Sequence, residues 1–449
     1  MEDTICGIST SMGIGAISIV RLTGVNALDI ISKVFDKNLE NAESHTIHYG
    51  HIVANGEIID EVLVMVMKAP KTYTVEDVVE INCHGGISTT KKVLEVLLAS
   101  GARLAEPGEF TKRAYLNGRI NLVEAESVND LITAKTDAAR TLAINNTKGK
   151  LTKKIEDLRE KIAKILANIE VNIDYPEYTD EVNVTEELMA KYLTEIKAAL
   201  KDMIEDAKNG QIIKEGINVA IIGKPNVGKS SILNSLLDEE KAIVTNIPGT
   251  TRDIVEGSIT LNGVAVNFID TAGIRVTNDV VEAIGVKKSK DIASKADIII
   301  IVLNNNEVLS DEEKKLIDKY NDDNLIIFIN KSDLEKKIVM PDNLNNIIYG
   351  STIDGSASKK IKEAIKDKFS LDKVVNKEMS YLSNVREVDL VTKAYNHLLS
   401  AEESLKGGFT VDMVEIDLKT AWNFLGELIG ATYNDELVDK IFSNFCLGK

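Results

Sequence analysis

The chain has 449 residues, 44% hydrophobic and 27% charged, with a net charge of −17 at neutral pH. That length holds roughly two to four domains with ample cores, and the acidic balance excludes a general electrostatic attraction to nucleic acid, so any RNA contact needs a local basic patch or a partner. The three scattered cysteines, Cys6, Cys83 and Cys446, exclude a disulfide framework and fit a reducing cytoplasm, and no stretch reads as a signal peptide or a membrane span.

Residues 1–118 read as a mixed α/β domain. Residues 16–22 are strand-like, and residues 45–53 and 58–67 flank a turn whose Asn55-Gly56 pair is a hairpin signal. Residues 78–83 form a further strand, and residues 88–100 have helical periodicity ending at Gly101. His45, His48 and His51 suggest a metal site, but odd spacing on a strand throws successive members to opposite faces. From 119 to 215 the pattern is helical, interrupted mainly at Asp174-Tyr175-Pro176-Glu177, and helical periodicity returns at 371–449. Between them, 216–370 reads as a doubly wound α/β domain. The expected architecture is a helical bundle split by this insertion, which is tolerated because domain termini lie close together.

The insertion carries the chemistry. Gly223-Lys224-Pro225-Asn226-Val227-Gly228-Lys229-Ser230 fits the phosphate-loop pattern and follows the apolar run 217–222. Glycines let backbone N–H groups close around phosphate, with the dipole of the next helix behind them. Lys229 supplies charge to the β- and γ-phosphates, and Ser230 offers a hydroxyl to Mg²⁺. Asp270-Thr271-Ala272-Gly273 ends a second apolar run. Asp270 would hold the metal through water and the Gly273 N–H would face the γ-phosphate. Asn330-Lys331-Ser332-Asp333 ends a third run and selects the base. Asp333 accepts two hydrogen bonds from guanine, whereas adenine would leave that carboxylate unpaired.

Residues 244–253 lie where such domains place their first switch, and Thr251 is the candidate second hydroxyl on Mg²⁺. The plain alternative is a flexible Pro-Gly turn leading into a strand at 254–261. Where signalling GTPases carry a water-positioning glutamine, this chain has Ile274, which cannot hydrogen-bond a water. The nucleotide set is therefore Asn226, Val227, Gly228, Lys229, Ser230 and Ser231; Thr245, Asn246, Ile247, Pro248, Gly249, Thr250 and Thr251; Asp270, Thr271, Ala272 and Gly273; and Asn330, Lys331, Asp333 and Ser351. The segment Ser351-Thr352-Ile353 stands where many GTPases have Ser-Ala-Lys.

Asn226, the stretch 245–250 and aliphatic Ile274 together resemble the potassium-activated GTPases. By that resemblance K⁺ would be held by the Asn226 side chain and backbone oxygens of Thr245, Ile247 and Thr250, offsetting charge as an arginine finger does. The order of parts, ending in Cys446-Leu447-Gly448-Lys449, resembles the MnmE (TrmE) family over essentially the whole chain. The family acts on the wobble uridine of certain tRNAs with the FAD-dependent partner MnmG (GidA). The resemblance implies an N-terminal folate-binding and dimerisation domain, a heterotetramer with MnmG, 5-formyltetrahydrofolate or a related folate as one-carbon donor, and a cytoplasmic location. Residue by residue, Arg21, Glu80 and Lys449 match folate contacts, and Arg119 stands where the family often has lysine. Glu282 matches the glutamate that orients the hydrolytic water, although a carboxylate at a helix N-terminus is favourable in any case. Cys446 is either a reactive thiol of the tRNA chemistry or apolar packing beside Phe445 and Leu447. Arg252 and Arg275 flank the switches, either closing them or lying on the surface. The same guanine motifs also admit a ribosome-assembly or regulatory GTPase, though neither flank is conspicuously basic.

Overall fold

The computed structural model describes residues 3–174, 179–238, 255–269, 296–321, 324–341, 344–376, 379–432, 435–445 and 448. The chain forms two compact units, Met1–Ile132 with Asn146–Leu200 and Asp389–Lys449, and Thr133–Asn145 with Lys201–Val388.

The first unit opens with β1 (Ile5–Ile8), β2 (Ile17–Thr23), α1 (Ala27–Val34), β3 (Thr46–Ala54), β4 (Glu57–Met67), β5 (Val78–His84), α2 (Ile87–Ala99), β6 (Arg103–Leu104) and α3 (Glu109–Leu116). The strands form one sheet in the order β3-β4-β5-β2-β1-β6, antiparallel except for β1 beside β6. Alternation sends Val20, Leu22, Val64, Val66, Val79 and Ile81 inward, where they bury against Ile30, Ile31, Val93 and Leu97 of α1 and α2. The hairpin turns at Asn55 and Gly56, both at positive φ (53° and 80°), as a two-residue turn matched to strand twist requires. His48 and His51 fall on opposite faces of β3, and His45 precedes it. Each of these two has its own partner: His48 meets Thr46, and His51 meets Asp36.

Helices α4 (Leu122–Thr133), α5 (Asp137–Thr147), α6 (Lys150–Asp174) and α7 (Thr179–Glu215) follow. In α6, Leu151, Ile155, Leu158, Ile162, Ile165 and Ile169 make a buried stripe at three- and four-residue spacing.

The second unit contains β7 (Ile217–Ile222), α8 (Lys229–Asp238), β8 (Val255–Leu261), β9 (Val264–Ile269), β10 (Ile298–Asn304), α9 (Asp311–Tyr320), β11 (Leu325–Asn330), β12 (Ile347–Tyr349), α10 (Ser356–Lys368) and α11 (Leu371–Val374). Its sheet runs β12-β11-β10-β7-β9-β8, parallel throughout except for the β8–β9 hairpin. Both faces are covered, so β9, β10 and β11 are buried along their whole length, as a doubly wound sheet demands. Ala138, Ala139 and Leu142 of α5 join Ile212, Ile213 and Met379 in this core. Two short pieces of the flanking helical sequence, 133–145 and 201–215, thus belong to the nucleotide unit, because their apolar faces bury there.

The remaining helices are α12 (Val385–Lys406), α13 (Val411–Ile429) and α14 (Asp435–Phe442). In the first unit α13 lies along α6, its Val414, Leu418, Ala421 and Leu425 buried. Helices encoded on both sides of the insertion thus share one unit. Lys161–Glu195 and Lys197–Glu402 ion pairs, at 2.7 and 2.5 Å, join α6, α7 and α12.

Candidate functional site

The phosphate loop leaves β7, a central strand of the parallel sheet, and ends at Lys229, the first residue of α8. Its backbone needs three residues at positive φ: Gly223 (150°), Asn226 (63°) and Gly228 (99°). A Cβ on Gly223 would stand 2.5 Å from the Val302 carbonyl oxygen, and one on Gly228 would stand 2.3 Å from Asn330 Nδ2. Neither distance is tolerable, so both glycines are required. Lys229 Nζ donates to the Gly223 and Lys224 carbonyls at 2.8 and 2.7 Å, so the ammonium lies curled back into the loop. Burial pushes its pKa down. An incoming polyphosphate offers this desolvated cation a better partner than two neutral carbonyls. Ser230 and Ser231 are exposed on the first turn of α8.

The base-reading segment reaches the same place by way of β11. Asn330 is 1% exposed, and its Nδ2 donates to the Val227 carbonyl at 2.9 Å, tying base loop to phosphate loop across 103 residues of sequence. Lys331, at φ 61°, donates to the Asn226 carbonyl at 3.3 Å. Asp333 Oδ1 accepts from the Ser351 hydroxyl at 2.5 Å, and Ser332 N–H donates to the Gly350 carbonyl. Ser351 therefore joins the Asn330–Asp333 loop by holding the Asp333 carboxylate, and its Oγ also accepts from Ile353 N–H. The cradle fits a guanine nucleotide: two obligatory glycines at the phosphate end, a carboxylate held by Ser351 at the other. Thr245, Asn246, Ile247, Pro248, Gly249, Thr250, Thr251, Arg252, Asp270, Thr271, Ala272, Gly273, Ile274, Arg275 and Glu282 lie outside the described residues.

Composition and spacing did not reveal one support of this loop. Lys224 Nζ donates to Ser310 Oγ at 2.6 Å and pairs with Glu313 Oε2 at 3.4 Å. Ser310 and Glu313 form a reciprocal capping box at the start of α9. The Ser-x-x-Glu spacing was legible; its meeting with a phosphate-loop lysine was not.

A second constellation lies in the first unit. Arg21 and Glu80 are register partners on β2 and β5, and the guanidinium meets Glu80 Oε1 through Nε at 2.8 Å and Nη2 at 2.7 Å. Arg21 also lies 5.5 Å from the Phe110 ring centre and 5.9 Å from that of Tyr73. Arg119 lies over the same Tyr73 ring, 4.8 Å from its centre, and donates to the Tyr73 carbonyl at 3.2 Å. Lys71, Tyr73, Asn117 and Arg119 line a cavity of about 600 Å³. Gly448, two residues after Cys446, reaches the same region. Its carbonyl accepts from Ser9 Oγ at 3.0 Å, and its Cα lies 3.5 Å from where a Cβ on Gly7 would be, with Phe110 at the same distance. Arg21, Glu80 and Arg119 are thus brought together with the C-terminal segment. Cys446 and Lys449 themselves lie outside the described residues. Tyr73 and Phe110, which link the two arginines and the C-terminus, carried no sequence signal, since an aromatic in such a context reads as ordinary core. Cys6 and Cys83 are buried, and desolvation raises both thiols, Cys6 to about 12, so neither is available as a thiolate. Among the described residues no helix is long and apolar enough to cross a membrane.

A glycine-dependent phosphate loop at the carboxyl end of a central parallel strand, locked to an Asn-Lys-x-Asp loop, defines the class: a P-loop GTPase, joined here to a separate antiparallel α/β sheet and a helical layer. The chain belongs to the MnmE family. The profile described as "GTP-binding protein TrmE N-terminus" matches residues 4–119, and that described as "MnmE helical domain" matches residues 122–446. The tRNA modification GTPase MnmE of Streptococcus thermophilus (strain CNRZ 1066) is 50% identical over 449 residues, covering 100% of this chain and 98% of that one. The proteins of the same name from Bacillus mycoides (strain KBAB4) and Bacillus cytotoxicus are 48% and 47% identical over 455 residues, each match covering 100% of this chain and 99% of the relative.

Proposed function

We propose that this chain is a tRNA modification GTPase, whose GTP hydrolysis drives a conformational cycle coupled to chemistry on the wobble uridine at C5. The observation that carries this reading is identity of 50% across the full length with a tRNA modification GTPase, a match that spans both constellations. Four functional parts are proposed, with bounds at 1–118, 119–215, 216–370 and 371–449.

At the nucleotide site Lys229 neutralises the β- and γ-phosphates, Asn330 and Asp333 select guanine, and Ser230 with Thr251 would hold Mg²⁺, Asp270 assisting through water. Asn226, Thr245, Ile247 and Thr250 would hold K⁺, and its charge would offset charge developing at the phosphates as an arginine finger does. Glu282 would orient water in place of the absent glutamine. At the other site Arg21, Glu80, Arg119 and Lys449 would hold 5-formyltetrahydrofolate or a related folate. The two guanidinium groups over the Tyr73 ring support this, because a flat heteroaromatic ring and a carboxylate tail both suit guanidinium and aromatic surfaces. Cys446 would serve as a thiol of the tRNA chemistry.

A homodimer through the N-terminal domain is supported by the sheet face turned away from α1 and α2. There Ile17, Ile47, Tyr49 and Leu63 are 44–63% exposed on the same face as Arg21 and Glu80. The flavoprotein MnmG and tRNA complete the proposed assembly, a heterotetramer in the cytoplasm. Mass spectrometry of tRNA nucleosides from cells lacking this protein tests the reading. Loss of the C5 wobble modification is expected, and an unchanged wobble uridine would overturn it.

A further inference from the structure

The guanine-selecting loop, residues 330–334, is held at both ends by a residue outside every motif. Asn305 follows directly on β10, whose last residue Asn304 pairs with Asn330 across the parallel β10–β11 ladder. Its backbone N–H donates to the Asn330 carbonyl at 2.9 Å, at the start of the loop. Its side-chain Nδ2 donates to the Leu334 carbonyl, also at 2.9 Å, at the end of the loop. The Asn305 carbonyl accepts from Lys337 N–H at 2.8 Å and Ile338 N–H at 3.1 Å, fixing the segment that follows. Asn305 is 4% exposed, and its Oδ1 is buried without a partner among the described residues. A buried amide with one orphaned oxygen costs stability, so packing alone does not account for this residue type. The useful half of the amide is the donor to Leu334.

We infer that Asn305 is a positioning residue for guanine selection, strapping residues 330–334 so that Asp333 presents both carboxylate oxygens to the base. The strap is needed because the loop is short and strained. Lys331 sits at φ 61°, Leu334 N–H closes back on the Lys331 carbonyl at 3.0 Å, and Asp333 stands at the crest between them. Two hydrogen bonds to one flat base edge tolerate little displacement, roughly half an ångström. Ser351 holds one carboxylate oxygen, so strap and serine together define where the carboxylate sits.

This rests on the guanine-site reading above, and the experiment separates the two. Hypoxanthine keeps the ring N–H of guanine but lacks its exocyclic amine, so GDP can make both bonds to Asp333 and IDP only one. Affinities of the full chain for GDP and IDP are measured by calorimetry, for the native protein, Asn305→Ala and Asn305→Asp. The second variant keeps the shape of the side chain and, in its ionised form, cannot donate to the Leu334 carbonyl. The native chain is expected to prefer GDP by roughly ten- to a hundredfold, the worth of one hydrogen bond to a charged group. In both variants that preference should collapse towards unity, GDP weakening much more than IDP. If either variant weakens GDP and IDP equally, or leaves both unchanged, Asn305 is merely structural and the inference fails. If the native chain does not prefer GDP, the guanine reading itself fails. Should Asn305→Ala not fold, the isosteric Asn305→Asp decides by the same ratio.

Discussion

Arg113 is wholly buried in the first unit, yet it is surrounded by carboxylates. Its Nη2 donates to Asp3 at 2.7 Å and Glu109 at 3.2 Å, and its Nη1 to Glu76 at 3.1 Å and the Asp3 carbonyl at 3.0 Å. Arg103 adds bonds to Glu109 at 2.5 and 3.0 Å. Burial acts to raise the pKa of Glu109, but hydrogen bonds from Arg103, the Glu106 N–H and Arg113 outweigh it and the net shift is downward. Removing one member leaves the others buried and uncompensated, so Arg113→Met should lower stability by about 3–5 kcal/mol in urea unfolding. Because the folded Glu109 has a depressed pKa, its contribution is present above the unfolded value and lost as pH falls through the folded one. Glu109→Gln should therefore flatten the loss of stability on acidification below about pH 4.3; an unchanged acid limb would show that Glu109 is not among the linked groups. At the same scale, an isoleucine side chain such as that of Ile274 cannot hydrogen-bond a water, and the potassium proposed above would supply charge at the phosphates. GTP turnover is expected to be at least roughly tenfold faster in potassium than in sodium, by comparison with what an arginine finger supplies; equal rates would remove the cation from the mechanism. Sequence motifs exposed Lys229, Asn330 and Asp333 because each chemistry demands one residue type at one spacing. Asn305, Tyr73 and Phe110 were not legible, because their roles depend on which distant backbone or ring they meet.

Among elements, α14 shows how a local sequence acquires its place through a distant glycine. Gly108, at φ 69° before α3, faces the Phe442 carbonyl and Phe445. A Cβ there would stand 2.7 Å from the one and 2.8 Å from the other. Phe442 and Phe445 pack with Tyr115 and Leu122, and Lys112 pairs with Asp439. This small apolar cluster brings the last turns of the chain beside the Arg21 constellation. Gly108→Ala combines a backbone penalty with overpacking, so it should destabilise the C-terminal segment by about 1–3 kcal/mol. Carboxypeptidase should then trim the chain faster, with the sheet of the first unit intact; unchanged trimming would mean that α14 is held by other contacts. Strand and helix existence was largely readable. The runs at 16–22, 58–67, 78–83 and 217–222 appear as β2, β4, β5 and β7, and helical periodicity at 88–100 appears as α2. Local patterning suffices there, since burial of one face is written into period-two or period-3.6 spacing.

At the scale of the molecule, the chain passes between its two units at 132/133, 145/146, 200/201 and 388/389. Each unit has its own core, so calorimetric unfolding should resolve two transitions. GDP at a hundredfold excess over its Kd should stabilise only the nucleotide unit, by about 2.7 kcal/mol; equal shifts of both transitions would reveal strong coupling between the units. By itself the sequence determined the element types, the guanine-nucleotide chemistry and the insertion of one domain into a helical layer, because each is encoded in spacing over a few consecutive residues. Only the tertiary structure decided that Asn330 grips Val227, that Arg21 pairs with Glu80 across β2 and β5, and that Gly448 returns to Ser9 at the start of the chain. These contacts join residues 59 to 439 positions apart. They follow from sheet register and core packing, which no local pattern specifies.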